Sequence, residues 1–352
     1  MPENFLSIRH AKLRTILIAQ KLDCFVSSYQ PYINLFTDAI DIPGIVIVSK
    51  RQIFFFTDKR FLIEVKKLPA EVDARIMDKS TFSYLDEQKF LHGKKLGLDY
   101  TVGTLKEAEY IKTYLHPVKI DDLSRFAGQL LNSHDYESLK RMKKAISIAK
   151  KAYFAAVNLL KPGVTELEIA CEISTLMKLY GGDGDAFPPI VAFGPSAAKP
   201  HAKPSERKLQ EGDLVLIDMG SSFKGLHSDF TRTIILGNGS FEISEKIKLL
   251  KGISLNTGKK LKPTAPVSEF DLSVRDSLKS AGIEKNYTHA LGHGVGYVVH
   301  ASPRIARNSN EVLHEGMIVT IEPGVYFEGE YGVRHEDMYY ISQDKSINLT
   351  KF

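Results

Sequence analysis

Cysteine is scarce: only Cys24 and Cys171 occur in 352 residues. They fall in different halves without a CxxC context, so no disulfide framework is expected, and a reduced, cytoplasmic protein is. Long apolar runs are also missing. None approaches the roughly 18 residues of a membrane span, so no membrane partner is expected. Met1-Pro2-Glu3-Asn4 lacks the charged and apolar regions of a signal peptide. Charge of one sign is not concentrated anywhere. The 47 basic and 42 acidic residues leave a net +5 spread along the chain, which argues against nucleic acid as a partner. There is no repeat of solenoid period and no low-complexity tract. Gly292-His293-Gly294-Val295-Gly296 is glycine-rich but lacks the strand-turn-helix context and the following acidic residue of a dinucleotide fingerprint.

What is present is an ordinary globular composition, 43% hydrophobic and 25% charged, long enough for two domains. The first part alternates helix and strand. Ile8 to Leu22 has helical spacing and Cys24-Phe25-Val26 reads as a strand. Gly44–Val48 and Ile53–Phe56 flank the polar Ser49-Lys50-Arg51-Gln52, as in a hairpin. Leu96-Gly97-Leu98-Asp99 is a further short strand. No chemistry is expected in this half. Asp135 to Leu160 predicts a long helix with Asp135 as N-cap, stopped by Lys161-Pro162-Gly163. Thr165 and Glu168 form a capping box for the next helix. Later helices are expected near 242–261 and 268–281, among short strands and glycine-rich turns. The domains are read as residues 1–125 and 126–352.

Asp218, Asp229, His293, Glu322 and Glu336 each sit in a short apolar or glycine-rich segment. Asp218 closes Leu214-Val215-Leu216-Ile217, and Glu322 interrupts Ile318-Val319-Thr320-Ile321 before Pro323-Gly324. An isolated carboxylate there would cost several kcal/mol or stay protonated, so bound cations are the better explanation. The set is oxygen-rich with one nitrogen, which suits Mn, Co or Zn. Four carboxylates are enough to bridge two metals. Two strands with a turn-like connection place Asp218 beside Asp229, and the same logic pairs Glu322 with Glu336. The glycines around His293 allow close backbone approach.

The segments Ile217–Gly220, Ser228–Thr233, Gly292–Gly296, Thr320–Gly324 and Gly332–Asp337 resemble, in order and spacing, the five ligand motifs of the creatinase/prolidase/aminopeptidase P family, the pita-bread metallopeptidases. Lys161–Glu166 and Phe187–Gly194, leading to Pro200-His201, are family-like as well. The resemblance is strong over about 135–345 and looser in the first half, for example at Thr57-Asp58-Lys59-Arg60. It implies an α/β protein with a creatinase-like N-terminal domain and a C-terminal pita-bread domain. It also implies Xaa-Pro peptide hydrolysis, short proline-containing peptides as partners and a homodimer.

By the same resemblance Asp218 chelates one of two divalent metal ions, Asp229 and Glu336 bridge them, and His293 and Glu322 complete the second. The nucleophile is a water or hydroxide between the metals, with Glu322 as general base. His201, His289 and His300 match three further family histidines. They donate to the scissile carbonyl, carry a proton to the leaving proline nitrogen and hold substrate. Arg334 salt-bridges internally or contacts the first bridging carboxylate. Arg304, in His300-Ala301-Ser302-Pro303-Arg304-Ile305, looks like the prolidase version of that string and is placed to pair with a dipeptide's carboxylate. His335 departs from the family, where an aliphatic residue is commonest, and His227 matches no required position. His10, His92, His116, His134 and His314 are read as structural.

Xaa-Pro dipeptidase activity is favoured, with aminopeptidase P activity on longer peptides next. Metal-free creatinase-like chemistry and a non-catalytic pita-bread binding module are disfavoured, because such relatives lose ligands that are intact here. Methionine aminopeptidase shares the C-terminal fold but fits the large N-terminal half poorly.

Overall fold

The computed structural model describes residues 5–77 and 80–352. The chain divides into two compact units, Met1–Leu131 and Asn132–Phe352. The helix Ser124–Leu131, within which residue 125 lies, belongs to the first.

The first unit is built on a six-stranded sheet. Its strands are β1 (Cys24–Ser27), β2 (Ile45–Ser49), β3 (Ile53–Asp58), β4 (Val72–Met77), β5 (Lys95–Leu98) and β6 (Lys119–Asp122), in the spatial order β4-β3-β2-β1-β5-β6. The expected hairpin is β2 and β3, paired antiparallel with Val48 opposite Ile53. Its turn is held by Ser49, whose hydroxyl accepts from the amides of Arg51 and Gln52. β3–β4, β1–β5 and β5–β6 are parallel and need crossovers. The first helix runs Phe5–Ala19, close to the expected Ile8–Leu22, and buries Leu6, Leu13 and Leu17.

In the second unit the helix expected from Asp135 is Tyr136–Val157, and the Asp135 carboxylate accepts from the Ser138 amide. The next helix, Glu166–Leu179, opens with the Thr165/Glu168 capping box in both directions. Thr165→Ala removes the two bonds made by the hydroxyl, to the Glu168 amide and carboxylate, and is expected to cost about 1 kcal/mol, read as a lower midpoint in urea with an unchanged slope. An unchanged midpoint would remove the cap from the list of stabilising features.

The strand Leu214–Met219 organises this unit. It pairs antiparallel with Ile190–Phe193 on one side and Phe230–Ile235 on the other. Side chains alternate across a strand, and here both faces are covered. Val215, Ile217 and Met219 pack with Ile148, Ala152, Ile169 and Ile173 of the two helices just described. Leu214 and Leu216 face the other core, with Leu250, Val274, Val319, Ile321 and Val333. That double burial explains an unbroken apolar run where a half-exposed strand would alternate. Each fully buried Val or Ile contributes roughly 1.5–3 kcal/mol. Asp218 shares the parity of Leu214 and Leu216, so its carboxylate enters the second core's layer. The helices Phe241–Gly258 and Val267–Ser280 cover that core. Among the described residues no helix is long and apolar enough to cross a membrane.

Candidate active site

Two strand pairs deliver the four carboxylates. Thr231 stands opposite Asp218 and Phe230 opposite Met219, so Asp229 lies just past the end of that ladder. Between them the chain makes a small hairpin, Ser221–Phe223 with Leu226–His227, where a plain turn was expected. The second pair repeats the device. Ile318–Ile321 runs antiparallel to Asp337–Ile341 with Ile321 opposite Asp337. Glu322 and Glu336 are the next residue on each strand, and the hairpin Gly324–Phe327 with Tyr331–Arg334 fills the connection. The two ladders are tied together by Arg232. Its guanidinium donates to the Glu336 carbonyl at 2.6 Å and pairs with Asp337 at 2.7 Å.

His293 is carried on the strand Gly292–Gly294. A Cβ at Gly292 would stand 2.1 Å from the Thr320 carbonyl oxygen, and one at Gly294 2.1 Å from that of Ser302. Only glycine lets the neighbouring backbones close to ladder distance at both positions. His293 Nδ1 lies 3.0 Å from the Gly294 carbonyl and donates to it, which leaves Nε2 unprotonated and turned toward the carboxylates. That Nε2 is 3.5 Å from Glu322 Oε1 and 3.7 Å from Asp229 Oδ2. Burial, reinforced by His300, lowers the His293 pKa to about 4.

The carboxylates are crowded, two of them buried and two, Asp218 and Glu322, half-buried. Asp229 is 4% and Glu336 2% exposed. Burial and then the charges of Glu336, Asp218 and Glu322 push the Asp229 pKa well up. Glu322 rises from burial and Glu336, and Glu336 is pushed up to about 8 by burial and Asp218. Two guanidiniums offset them within the protein, Arg232 behind Glu336 and Arg334 in contact with Asp218. Arg334 Nη2 donates to Asp218 Oδ2 at 2.6 Å, and the rest of the guanidinium reaches Thr231, the Pro200 carbonyl and Tyr326. Asp218 Oδ1 is buried with no hydrogen-bond partner among the described residues. Ligand atoms of Asp229, His293 and Glu336 lie within 4.8 Å of one another. An orphaned carboxylate oxygen, an unprotonated imidazole nitrogen and an excess of buried negative charge fit divalent cations.

The site floors an open cleft of about 810 Å³ whose lining includes all five of these residues with His201, His289, His300, Arg304 and Arg334. The structure thus brings every site residue read from the sequence into one cavity. His201, His300 and Arg304 are exposed. The His300 ring stands edge-on to His293 at 4.5 Å between centroids, and partial burial of the ring lowers its pKa against the opposing charge of Asp218. His289 is held on both sides. Nδ1 is 2.7 Å from the Ala290 carbonyl, and Nε2 is 3.0 Å from the Tyr326 hydroxyl. With Nδ1 the donor, Tyr326 donates to Nε2 and receives from Arg334. Burial, with Arg334 next, lowers the His289 pKa to about 4, so the ring is neutral at pH 7.

Sequence reasoning did not find Tyr326, which links Arg334 to His289, or Thr231, which donates to Glu336 at 2.8 Å. A tyrosine or threonine in a strand carries no signal of its own. His335 is buried and bonded through Nε2 to Asp337 at 3.3 Å, so the departure from an aliphatic residue is absorbed by a carboxylate already paired with Arg232.

A cleft floored by buried carboxylates and one imidazole, with further histidines at its rim, defines a metal-dependent hydrolase. The model of metallopeptidase family M24 matches residues 140–343, and the chain belongs to that family. A Xaa-Pro dipeptidase of Pyrococcus horikoshii is 37% identical over 281 residues, 77% of each chain. Among solved structures, a Xaa-Pro dipeptidase from Bacillus anthracis superposes with a TM-score of 0.92 at 27% identity, covering 99% of this chain and 98% of that one. An X-Pro aminopeptidase from Thermotoga maritima gives 0.88 at 26% identity over 94% and 96%. The fold is therefore the creatinase-like domain followed by the pita-bread domain.

Proposed function

We propose that this chain is a metal-dependent exopeptidase that hydrolyses Xaa-Pro bonds, with dipeptides favoured. The observation that carries the reading is the cluster of four carboxylates and one imidazole, buried or half-buried together and too negative to stand without cations. Asp218, Asp229, His293, Glu322 and Glu336 would hold two divalent ions in this reading. The donor set suits Mn, with Co or Zn as other occupants. When bound, the ions supply Lewis-acid charge that polarises the scissile carbonyl and makes the attacking water more acidic.

The chain's own groups do the rest. Glu322 accepts the proton of the water. His201 and His300, on the rim, donate to the carbonyl oxygen and hold the substrate. As the C–N bond breaks, the proline nitrogen must gain a proton; His289, a neutral imidazole in the cleft wall, relays to it the proton taken up by Glu322. Its hydrogen bond from Tyr326 fixes the ring, and Tyr326 must release Nε2 for that role. Proline's tertiary amide has no N–H for a peptidase to bind, so recognition falls on the two ends of the substrate.

Arg304 supports the dipeptide preference. It lies opposite His293 on the strand Ala301–Ile305, and its guanidinium has no carboxylate partner among the described residues. A fork in that position matches a free C-terminal carboxylate. Arg304→Gln is expected to lower kcat/KM for Ala-Pro about 10- to 100-fold, the worth of a charged hydrogen bond, mainly through KM. Ala-Pro amide should be affected far less. Equal losses on both substrates would remove this role. The names of the two dipeptidase relatives point the same way. The size of the cleft favours a second reading, aminopeptidase P activity on longer peptides, since about 810 Å³ exceeds what a dipeptide fills. Cleavage of Ala-Pro-Ala but not Ala-Pro by the metal-loaded protein would decide for it. A homodimer and a cytoplasmic location belong to the same reading; sedimentation tests the first, and the unpaired Cys24 and Cys171 agree with the second.

A further inference from the structure

The first unit contains three histidines, His10, His92 and His116, and two of them meet. His92 lies in the turn after the helix Thr81–Glu87, and His116 caps the C-terminus of the helix Leu105–Leu115. Their rings stand edge-on with centroids 4.7 Å apart. Both Nε2 atoms approach the same oxygen, Asp86 Oδ1, at 3.1 Å for His92 and 3.6 Å for His116. Ligand atoms of all three residues fall within 4.8 Å of one another. The backbone holds the arrangement. Gly93 N–H donates to the His116 carbonyl at 3.1 Å, and His116 itself adopts a left-handed conformation, with φ 45° and ψ 49°. A residue other than glycine is uncommon there.

We propose that Asp86, His92 and His116 form a second metal site, taking a single borderline divalent ion of the Zn class and separate from the carboxylate cluster. The chemistry differs from that cluster. Two imidazoles and one carboxylate prefer Zn, Ni or Cu over Mn. A tetrahedral ion with bonds of about 2.0–2.1 Å holds its ligand atoms about 3.3 Å apart, and the two His–Asp separations already bracket that value. Three protein ligands leave a position for water or an external group. His116 is more exposed than His92, with side chains 56% and 28% accessible, so an ion can enter without opening the core.

The test uses the full chain stripped of metal and dialysed against Zn²⁺, with bound ions counted per chain by elemental analysis. The wild type is compared with His92→Gln/His116→Gln. The double variant is expected to bind one ion fewer, whatever the carboxylate cluster holds, and to keep its Mn-dependent activity. Asp86→Asn alone should also lose that ion. Addition of Zn²⁺ should shift the His92 and His116 imidazole signals together in the NMR spectrum of the wild type. Should folding of the double variant differ, His116→Gln alone gives the same count, because its side chain is largely in solvent. Equal ion counts in wild type and variants, or imidazole signals that do not move, would overturn the site. Neither result bears on peptide hydrolysis, which is read separately.

Discussion

Asp229→Asn is expected to reduce Xaa-Pro hydrolysis by about a thousandfold or more while leaving the chain folded. The substitution keeps the shape of the side chain and removes a charge shared by the whole cluster. Several kcal/mol of Lewis-acid stabilisation is what such a site supplies, and each 1.36 kcal/mol is tenfold in rate. The metal-free protein should respond in the opposite direction, because a buried negative charge has been removed. In wild type, Glu336 has a folded pKa of about 8 against an ordinary value of 4.5, from burial and then Asp218, and Asp229 and Glu322 are raised as well. A raised carboxylate pKa means that the folded state holds more protons than the unfolded one. Stability from these groups is complete below about pH 4 and is lost as pH climbs through about 8. The metal-free wild type should therefore melt at progressively lower temperature from pH 5 to pH 8. Asp229→Asn should flatten that slope, and Mn²⁺ should abolish it in the wild type. A metal-free melting temperature that rises over the same interval would contradict the picture of a cluster short of positive charge.

Arg334→Leu should be the most damaging change outside the five acidic and imidazole positions. The guanidinium is 3% exposed and makes four kinds of contact: to Asp218, Thr231, the Pro200 carbonyl and Tyr326. Breaking a buried ion pair by removing one partner leaves the other charge uncompensated, at a cost of about 3–5 kcal/mol. Here Asp218 would lose its cation and Tyr326 the donor that orients it toward His289. Arg334→Lys should not restore stability, since an ammonium cannot reach Asp218, Thr231 and Tyr326 from one plane. Denaturant titration of the metal-free variants measures this. A loss below about 1 kcal/mol would place Arg334 among the weak ion pairs typical of surfaces.

The cluster was legible in the sequence because charge in an apolar run is anomalous, and five such anomalies in family order leave little freedom. In the structure, strand parity accounts for its depth: Asp218 follows Leu214 and Leu216 onto one face. The hairpins inside both carboxylate pairs were less visible. Ser221–Phe223 and Leu226–His227 are too short to show alternation, and Lys224 at φ 49° makes the turn without a typical turn residue before Gly225. Tyr326 and Thr231 were silent because their role depends on partners eight and 105 residues away. His92 and His116 read as structural in the sequence for a similar reason. They are 24 apart with no ligand spacing, and only the return of the helix Leu105–Leu115 beside the turn after Glu87 brings them together.

The most direct measurement is release of free proline from Ala-Pro by protein stripped with a chelator and then titrated with Mn²⁺, with bound metal counted in parallel. Stripped protein should be inactive, and activity should return as ions fill the site, reaching its plateau at two ions held by the carboxylate cluster. Asp229→Asn should show no return. Full occupancy of the cluster with no cleavage of Ala-Pro or of longer Xaa-Pro peptides, or undiminished cleavage by the stripped protein, would contradict metal-dependent Xaa-Pro hydrolysis.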